Sequence, residues 1–279
     1  MQSNDKISIP DFILNRKGAR TANDILPDVI GLLNSGRIES ANLTEWLAVD
    51  HLELLRHVLA EYEMLQHADA MLSVLEQIKR QSTMKVIPAI AGEWFKLIRL
   101  QTDQDQGELF ERLAAHRSDS VRCWAAFVVG LDPSELEQKL AAIRPFAADH
   151  HFGVREIAWM AVRDSVSQQL QLAISLLSSW VRESDANLRR FAVELTRPRG
   201  VWAKHIADLK DNPEWGLPLL EPLKADPSKY VQDSVANWLN DAAKSRPDWV
   251  VQVCRTWMEV SDNNETKRIV ARAQRSMKH

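Results

Sequence analysis

The sequence predicts an all-α protein, a right-handed solenoid of HEAT-like helical repeats (an α-α superhelix). Three observations carry that expectation. Apolar residues recur at spacings of three and four over segments of roughly a dozen residues, as amphipathic helices require. Glycine is scarce, at 9 of 279 residues, and runs of Val, Ile and Thr alternating with period 2 are absent. A helix-opening block also returns five times: Ser120-Val121-Arg122, Gly153-Val154-Arg155, Asn187-Leu188-Arg189, Tyr230-Val231-Gln232 and Glu265-Thr266-Lys267. Its separations of 33, 34, 43 and 35 residues fit stacked helical pairs, each of which needs neighbours to cover its apolar face.

In chain order, residues 1–65 are expected to form an amino-terminal helical region. Residues 66–279 form the repeat solenoid with a concave groove, in one continuous domain. Turn signals separate the helices at Leu131-Asp132-Pro133, Arg197-Pro198-Arg199-Gly200, Asp226-Pro227, Arg246-Pro247 and Asp262-Asn263-Asn264, where Pro, Asp and Asn interrupt the helical period.

Counted from the apolar opener of each block, offsets 0, 3, 4, 7 and 8 define a buried stripe. They read Val121, Trp124, Ala125, Val128, Val129, then Val154, Ile157, Ala158, Ala161, Val162. The third block gives Leu188, Phe191, Ala192, Leu195, Thr196, and the fourth Val231, Ser234, Val235, Trp238, Leu239, so the register survives two small polar intrusions.

Offsets 2, 6, 9 and 10 point the other way at about 100° per residue. They read Cys123 and Phe127; Glu156, Met160, Arg163 and Asp164; Arg190, Glu194 and Arg197; Asp233, Asn237, Asn240 and Asp241; and Arg268, Arg272 and Arg275. In a curved stack this polar strip is the natural place for an extended ligand, and its basic end suits a phosphate backbone. Asp241, with Asn237 and Lys244 a turn to either side, is the acidic exception. Glu156 and Asp241 admit two readings, as solvated helix carboxylates or as functional ones. The offset-1 arginines Arg122, Arg155 and Arg189 are expected to form a structural ladder between repeats. Trp124 and Trp238 fall on the stripe, so most of the ten tryptophans are expected to pack in the core.

Composition narrows the function. The 35 basic and 38 acidic side chains give a net charge of −3, against a nucleic-acid binder that relies on overall charge but not against a local basic face. Two cysteines without a CxxC pair, and eight histidines without HExxH or metal-ligand spacing, give no disulfide framework or metal site. Glycine-rich phosphate loops are missing, so kinase, NTPase and dinucleotide readings have no support. The start MQSNDKISIPDF has no apolar leader and no run approaches a membrane span, so a cytoplasmic protein is expected.

Four ordered segments carry a family resemblance. Lys17-Gly18-Ala19-Arg20, Asp24-Ile25-Leu26-Pro27, Leu33 to Glu39 and Leu43 to Asp50 resemble the amino-terminal region of AlkC-type alkylpurine DNA glycosylases. Leu188-Arg189-Arg190 leading to Glu194, Thr196-Arg197-Pro198-Arg199 and Trp202 is similar to that family's central motif. Asp226-Pro227-Ser228 through Leu239-Asn240-Asp241, Lys244 and Pro247-Asp248 resembles its next repeat, and Glu265-Thr266 through Arg272 its last helix. Two positions depart from the pattern. Gly200-Val201 stands where the family usually has Leu-Pro, and Trp238 where it commonly has His. Some relatives carry an immunoglobulin-like domain after the repeats, and a chain ending at His279 is expected to lack it.

The resemblance implies a glycosylase that cradles duplex DNA and excises N3-methylated, cationic bases such as 3-methyladenine without deep base flipping. It implies Asp241 as first choice and Glu156 as second for the carboxylate that stabilises positive charge on the sugar, with Trp202 against the lesion. Arg190, Arg197, Arg199, Asn237, Lys244, Arg268 and Arg272 are then the DNA-binding candidates. The implied partner is double-stranded DNA containing alkylated bases, handled by a monomer with no metal or organic cofactor and no membrane. The preferred lesion stays open among 3-methyladenine, 3-methylcytosine and 7-methylguanine. The competing reading is a catalytically inactive HEAT-repeat scaffold that binds DNA or protein, because a fold does not fix a function.

Overall fold

The computed structural model describes residues 9–78 and 82–277; residues 1–8, read above for a leader, lie outside them. Every regular element among the described residues is helical. The chain divides into two compact units, Met1–Val128 and Val129–His279.

The first unit holds α1 (Asp11–Leu14), α2 (Pro27–Asn34), α3 (Leu43–Ala48), α4 (His51–Glu61), α5 (Ala68–Glu76), α6 (Thr83–Arg99), α7 (Asp103–Ala114) and most of α8 (Asp119–Leu131). The starts of α4 and α7 follow from local chemistry. Asp50 accepts from the backbone N–H groups of Leu52 and Glu53 to cap α4, and Thr102 accepts from that of Asp105 to cap α7. Inside this unit Trp124 donates to Nδ1 of the buried His51 at 3.3 Å.

Burial pulls the His51 imidazole down to about 4, with Asp50 opposing. Its folded-state pKa therefore lies below the unfolded value of 6.5. The unfolded chain takes the proton first as pH falls, so the stabilisation is complete above about 6.5 and is lost on the way down to about 4. The shift corresponds to about 3 kcal/mol. We expect denaturant midpoints to fall between pH 7 and 5, and to fall less in His51→Asn, which keeps an acceptor for Trp124 and removes the titration. Identical pH profiles would show that His51 does not set this dependence.

The second unit holds α9 (Leu136–Ala147), α10 (Phe152–Gln168), α11 (Leu170–Leu177), α12 (Ala186–Leu195), α13 (Ala207–Asp211), α14 (Leu217–Leu220), α15 (Lys229–Ala243), α16 (Pro247–Val260) and α17 (Asn264–Ala273). The helices opened by the recurring block stack in chain order, α10 on α12, α12 on α15 and α15 on α17. This is the repeat packing the spacing predicted.

The stripe is the core. Val154, Ile157, Ala158 and Val162 of α10, Leu188, Phe191, Ala192 and Leu195 of α12, and Val231, Val235, Trp238 and Leu239 of α15 are all buried. Burying a Leu or Phe side chain contributes about 1.5–3 kcal/mol, and no short helix here could gain that alone. The polar intrusions are satisfied: Thr196 donates to the Ala192 carbonyl at 3.0 Å and Ser234 to Glu194 at 2.7 Å.

The offset-1 position has one job in four blocks. Arg122 donates to the His116 carbonyl, Arg155 to that of Asp149, Arg189 to that of Glu183 and Gln232 to that of Asp226, always six residues back. Each ties the turn before its helix to the helix itself. Arg189 also reaches the next repeat, donating to both oxygens of Asp226.

Candidate active site

Stacking α10, α12 and α15 in register brings one carboxylate from each into a row with basic partners between them. Arg190 forms a short ion pair with Glu156 and lies 3.8 Å from Glu194. Arg197 donates from Nη1 to Glu194 at 3.1 Å, and from Nε and Nη2 to Oδ2 of Asp241 at 2.9 and 2.7 Å. Lys244 completes the row, its Nζ 3.0 Å from Oδ1 of Asp241.

The order is thus Glu156, Arg190, Glu194, Arg197, Asp241, Lys244, alternating in sign. The middle is dry, with Glu194 3% and Asp241 4% exposed, and the ends are wet, the Glu156 and Lys244 side chains being 32% and 48% exposed. Pairing and hydrogen bonding offset the cost of burying these charges. Burial pulls Arg190 and Arg197 down, but the neighbouring carboxylates outweigh it and hold both above the ordinary guanidinium value.

The rest of the frame fixes the rotamers. Trp159 donates to Glu156 at 2.8 Å, Ser234 to Glu194, and the Arg190 guanidinium lies 4.3 Å from the centre of the Tyr230 ring. Asp241 is the most accessible in chemistry though not in area. Its Oδ2 is held by the buried Arg197, whereas its Oδ1 is covered by the half-exposed Lys244.

Beyond α12 the chain forms the loop that carries Trp202. The last carbonyls of a helix have no partner of their own, and here neighbouring helices supply them. Arg163 of α10 donates to the carbonyls of Leu195 and Arg197 at 2.7 and 2.6 Å, and Trp238 of α15 donates to that of Thr196 at 2.9 Å. Trp238, expected on the buried stripe, thus fills the core and caps a helix. Gly216 makes room for it, since a Cβ there would lie 2.4 Å from the ring. Trp202 itself is 61% exposed with φ 58°, in the left-handed region.

The sequence profile of the DNA alkylation repair enzyme family matches residues 82–273. The chain belongs to this family. Pseudomonas fluorescens alkylpurine DNA glycosylase AlkC, solved bound to DNA containing an abasic site analog, superposes with a TM-score of 0.65 at 27% identity, over 81% of this chain and 62% of its own. AlkD2 from Streptococcus mutans shares the fold, with a TM-score of 0.57 at 22% identity over 75% of this chain and 97% of its own. A Bacillus subtilis (strain 168) protein named only as uncharacterized protein YhaZ is 40% identical over 97 residues, 35% of this chain and 27% of that one. The chain therefore spans less than two thirds of both AlkC and YhaZ. Membership in the DNA alkylation repair family bears out the resemblance read from the sequence.

Within this family member the structure gathers five of the sequence candidates, Glu156, Arg190, Arg197, Asp241 and Lys244, into the row. Arg199 lies at its edge, donating to Ser245 at 2.7 Å. Arg268 and Arg272 form a second cluster, both on Oδ1 of Asp233 at 2.7 and 2.9 Å, and Asn237 accepts from Arg275 at 2.9 Å. Sequence reasoning placed Glu194 on the polar strip without making it a candidate. Its position between arginines at i−4 and i+3 was the available signal. Arg163 was also on the strip and turns inward. No helix among the described residues is long and apolar enough to cross a membrane, and none of their His, Cys, Asp and Glu side chains group in a way that could hold a metal.

Proposed function

We propose that the chain is a DNA glycosylase that hydrolyses the N-glycosidic bond of cationic, N3-methylated bases such as 3-methyladenine in duplex DNA, acting as a cytoplasmic monomer. The observation that carries this reading is the position of Asp241: a buried carboxylate ion-paired on both oxygens, whose outer oxygen is covered by one half-exposed lysine. A cationic ligand can take the place of the Lys244 ammonium there at little electrostatic cost. Family membership and the DNA-bound AlkC structure support DNA as the ligand.

The chemistry fits that geometry. As the C1′–N bond breaks, the base leaves with the bonding electron pair and becomes neutral, while positive charge passes to the sugar. Asp241, with Glu156 as second choice, stabilises that charge and orients the water that adds to C1′, whose proton then passes to the carboxylate or solvent. Trp202 packs against the lesion. Phosphate contacts fall to Arg199, Lys244, Arg268 and Arg272, with Asn237 beside them. Arg190 and Arg197 reach DNA only by giving up their carboxylates, so their first role is to set the field of the row.

The test is release of methylated bases from alkylated duplex DNA, measured with binding over a range of salt. We expect 3-methyladenine to be released and affinity to fall steeply with salt, as phosphate contacts expel counterions. Salt-sensitive binding without release would make the chain a DNA-binding module. Neither would make it a protein-interaction scaffold.

A further inference from the structure

Arg163 is buried, 2% exposed, yet among the described residues no acidic side chain pairs with it directly, and its hydrogen bonds there go to backbone carbonyls. Nη1 takes Leu195, Nη2 takes Arg197 and Nε takes Lys204 at 2.9 Å. Burial, with Arg197 adding repulsion and the charges of Glu194, Asp164 and Asp241 opposing both, lowers it to about 10, so it stays charged at neutral pH in a place that penalises charge. A buried cation whose hydrogen-bond partners are all neutral is costly in stability, even with carboxylates nearby. Such costs persist where they fix a shape the fold alone would not.

The shape fixed is the Trp202 loop. The first two carbonyls lie where α12 ends, the third lies beyond Trp202, and the backbone N–H of Ile206 donates to the Pro198 carbonyl at 3.1 Å to close the base. Between them the chain passes over the guanidinium at Gly200, where a Cβ would lie 3.1–3.2 Å from its Cζ, Nε and Nη2. Gly200 thus lets backbone rest against the guanidinium of Arg163. Only a guanidinium presents donors along three edges of one plane.

We infer that Arg163 is a positioning residue that holds the loop from Arg197 to Lys204 in the form that presents Trp202 to the ligand. Trp202's left-handed backbone and exposure are what this staple maintains. The task of Trp202 at a lesion rests on the glycosylase reading; the hold on its loop does not.

The experiment compares the full chain with Arg163→Met, Arg163→Lys, Trp202→Ala and the double variant Arg163→Met/Trp202→Ala. Amide hydrogen exchange is followed across 197–204, and 3-methyladenine release from alkylated duplex is timed with enzyme in excess. In Arg163→Met the loop amides should exchange faster while α10, α12 and α15 keep their protection. Release should fall by about 10²-fold, as misplacement of a contact group does, with duplex affinity unchanged. Arg163→Lys should recover part of both, and it replaces the Met variant if that one does not fold. With Trp202→Ala already present, Arg163→Met should cost little more. Unchanged loop exchange overturns the inference whether or not the protein releases bases, and additive losses in the double variant overturn action through Trp202. A wild-type protein that releases no base would sink the glycosylase reading alone, and exchange would then decide the hold on the loop.

Discussion

Asp241→Asn is expected to slow base release by about 10²- to 10³-fold, the loss that follows removal of one preorganised electrostatic partner from a dry site. The substitution keeps the side chain's shape and an acceptor for Arg197, so the stacking of α12 on α15 should survive. What disappears is the negative charge at the point where the sugar becomes positive. Duplex affinity should not fall, because the phosphate candidates Arg199, Arg268 and Arg272 do not pair with Asp241 and Lys244, released from it, stays available to phosphate. Stability should fall by about 1–3 kcal/mol, since Arg197 and Lys244 lose an ionic partner while Glu194 still holds Arg197. Single-turnover release and a denaturant titration check the two parts separately. Equal release by Asp241→Asn and native protein would transfer the role to Glu156 and the solvated end of the row.

Trp202→Gly should separate stability from function. The indole is mostly exposed and its backbone sits at φ 58°, a conformation that costs a side-chain-bearing residue about 1–2 kcal/mol and glycine almost nothing. Relief of that strain offsets the added freedom of glycine in the unfolded chain, so the melting temperature should be unchanged or slightly raised. Base release should drop by about 10- to 10²-fold, the equivalent of one lost aromatic stacking contact of about 1–3 kcal/mol. A strained, exposed tryptophan contributes nothing to the core, and the opposite result, lower stability with full release, would make it a packing residue after all.

The helices were legible because their signal is periodic. Openers at Val154, Leu188 and Val231 predicted buried faces that the structure shows, whereas the arginine one place later, expected to form a ladder between repeats, mainly ties the turn before its own helix. Its partners were less legible: Arg122, Arg155 and Arg189 each bind the turn before their own helix, and Arg189 also binds the next repeat, since a long flexible side chain can reach both. The candidate site was legible as a list and not as a network. Offsets 2, 6, 9 and 10 brought Glu156, Arg190, Glu194, Arg197 and Asp241 to one strip, but the sequence implied a solvated face. Stacking the strips of adjacent helices lets opposite charges cover each other, and that pairing turns the strip into a buried row. Trp202's backbone conformation could not be read at all, because it depends on Arg163 reaching across from α10 to three carbonyls.

The most direct measurement is a comparison of lesions. Duplexes carrying a cationic methylated base and a neutral deoxyuridine, matched in sequence, are incubated with the native chain and the freed bases counted. If Asp241 favours positive charge, the cationic base is released and uracil is not, with both duplexes bound alike. Release of uracil at a similar rate, or of neither base, would contradict the central claim that this row of carboxylates selects a cationic base and assists hydrolysis of its N-glycosidic bond.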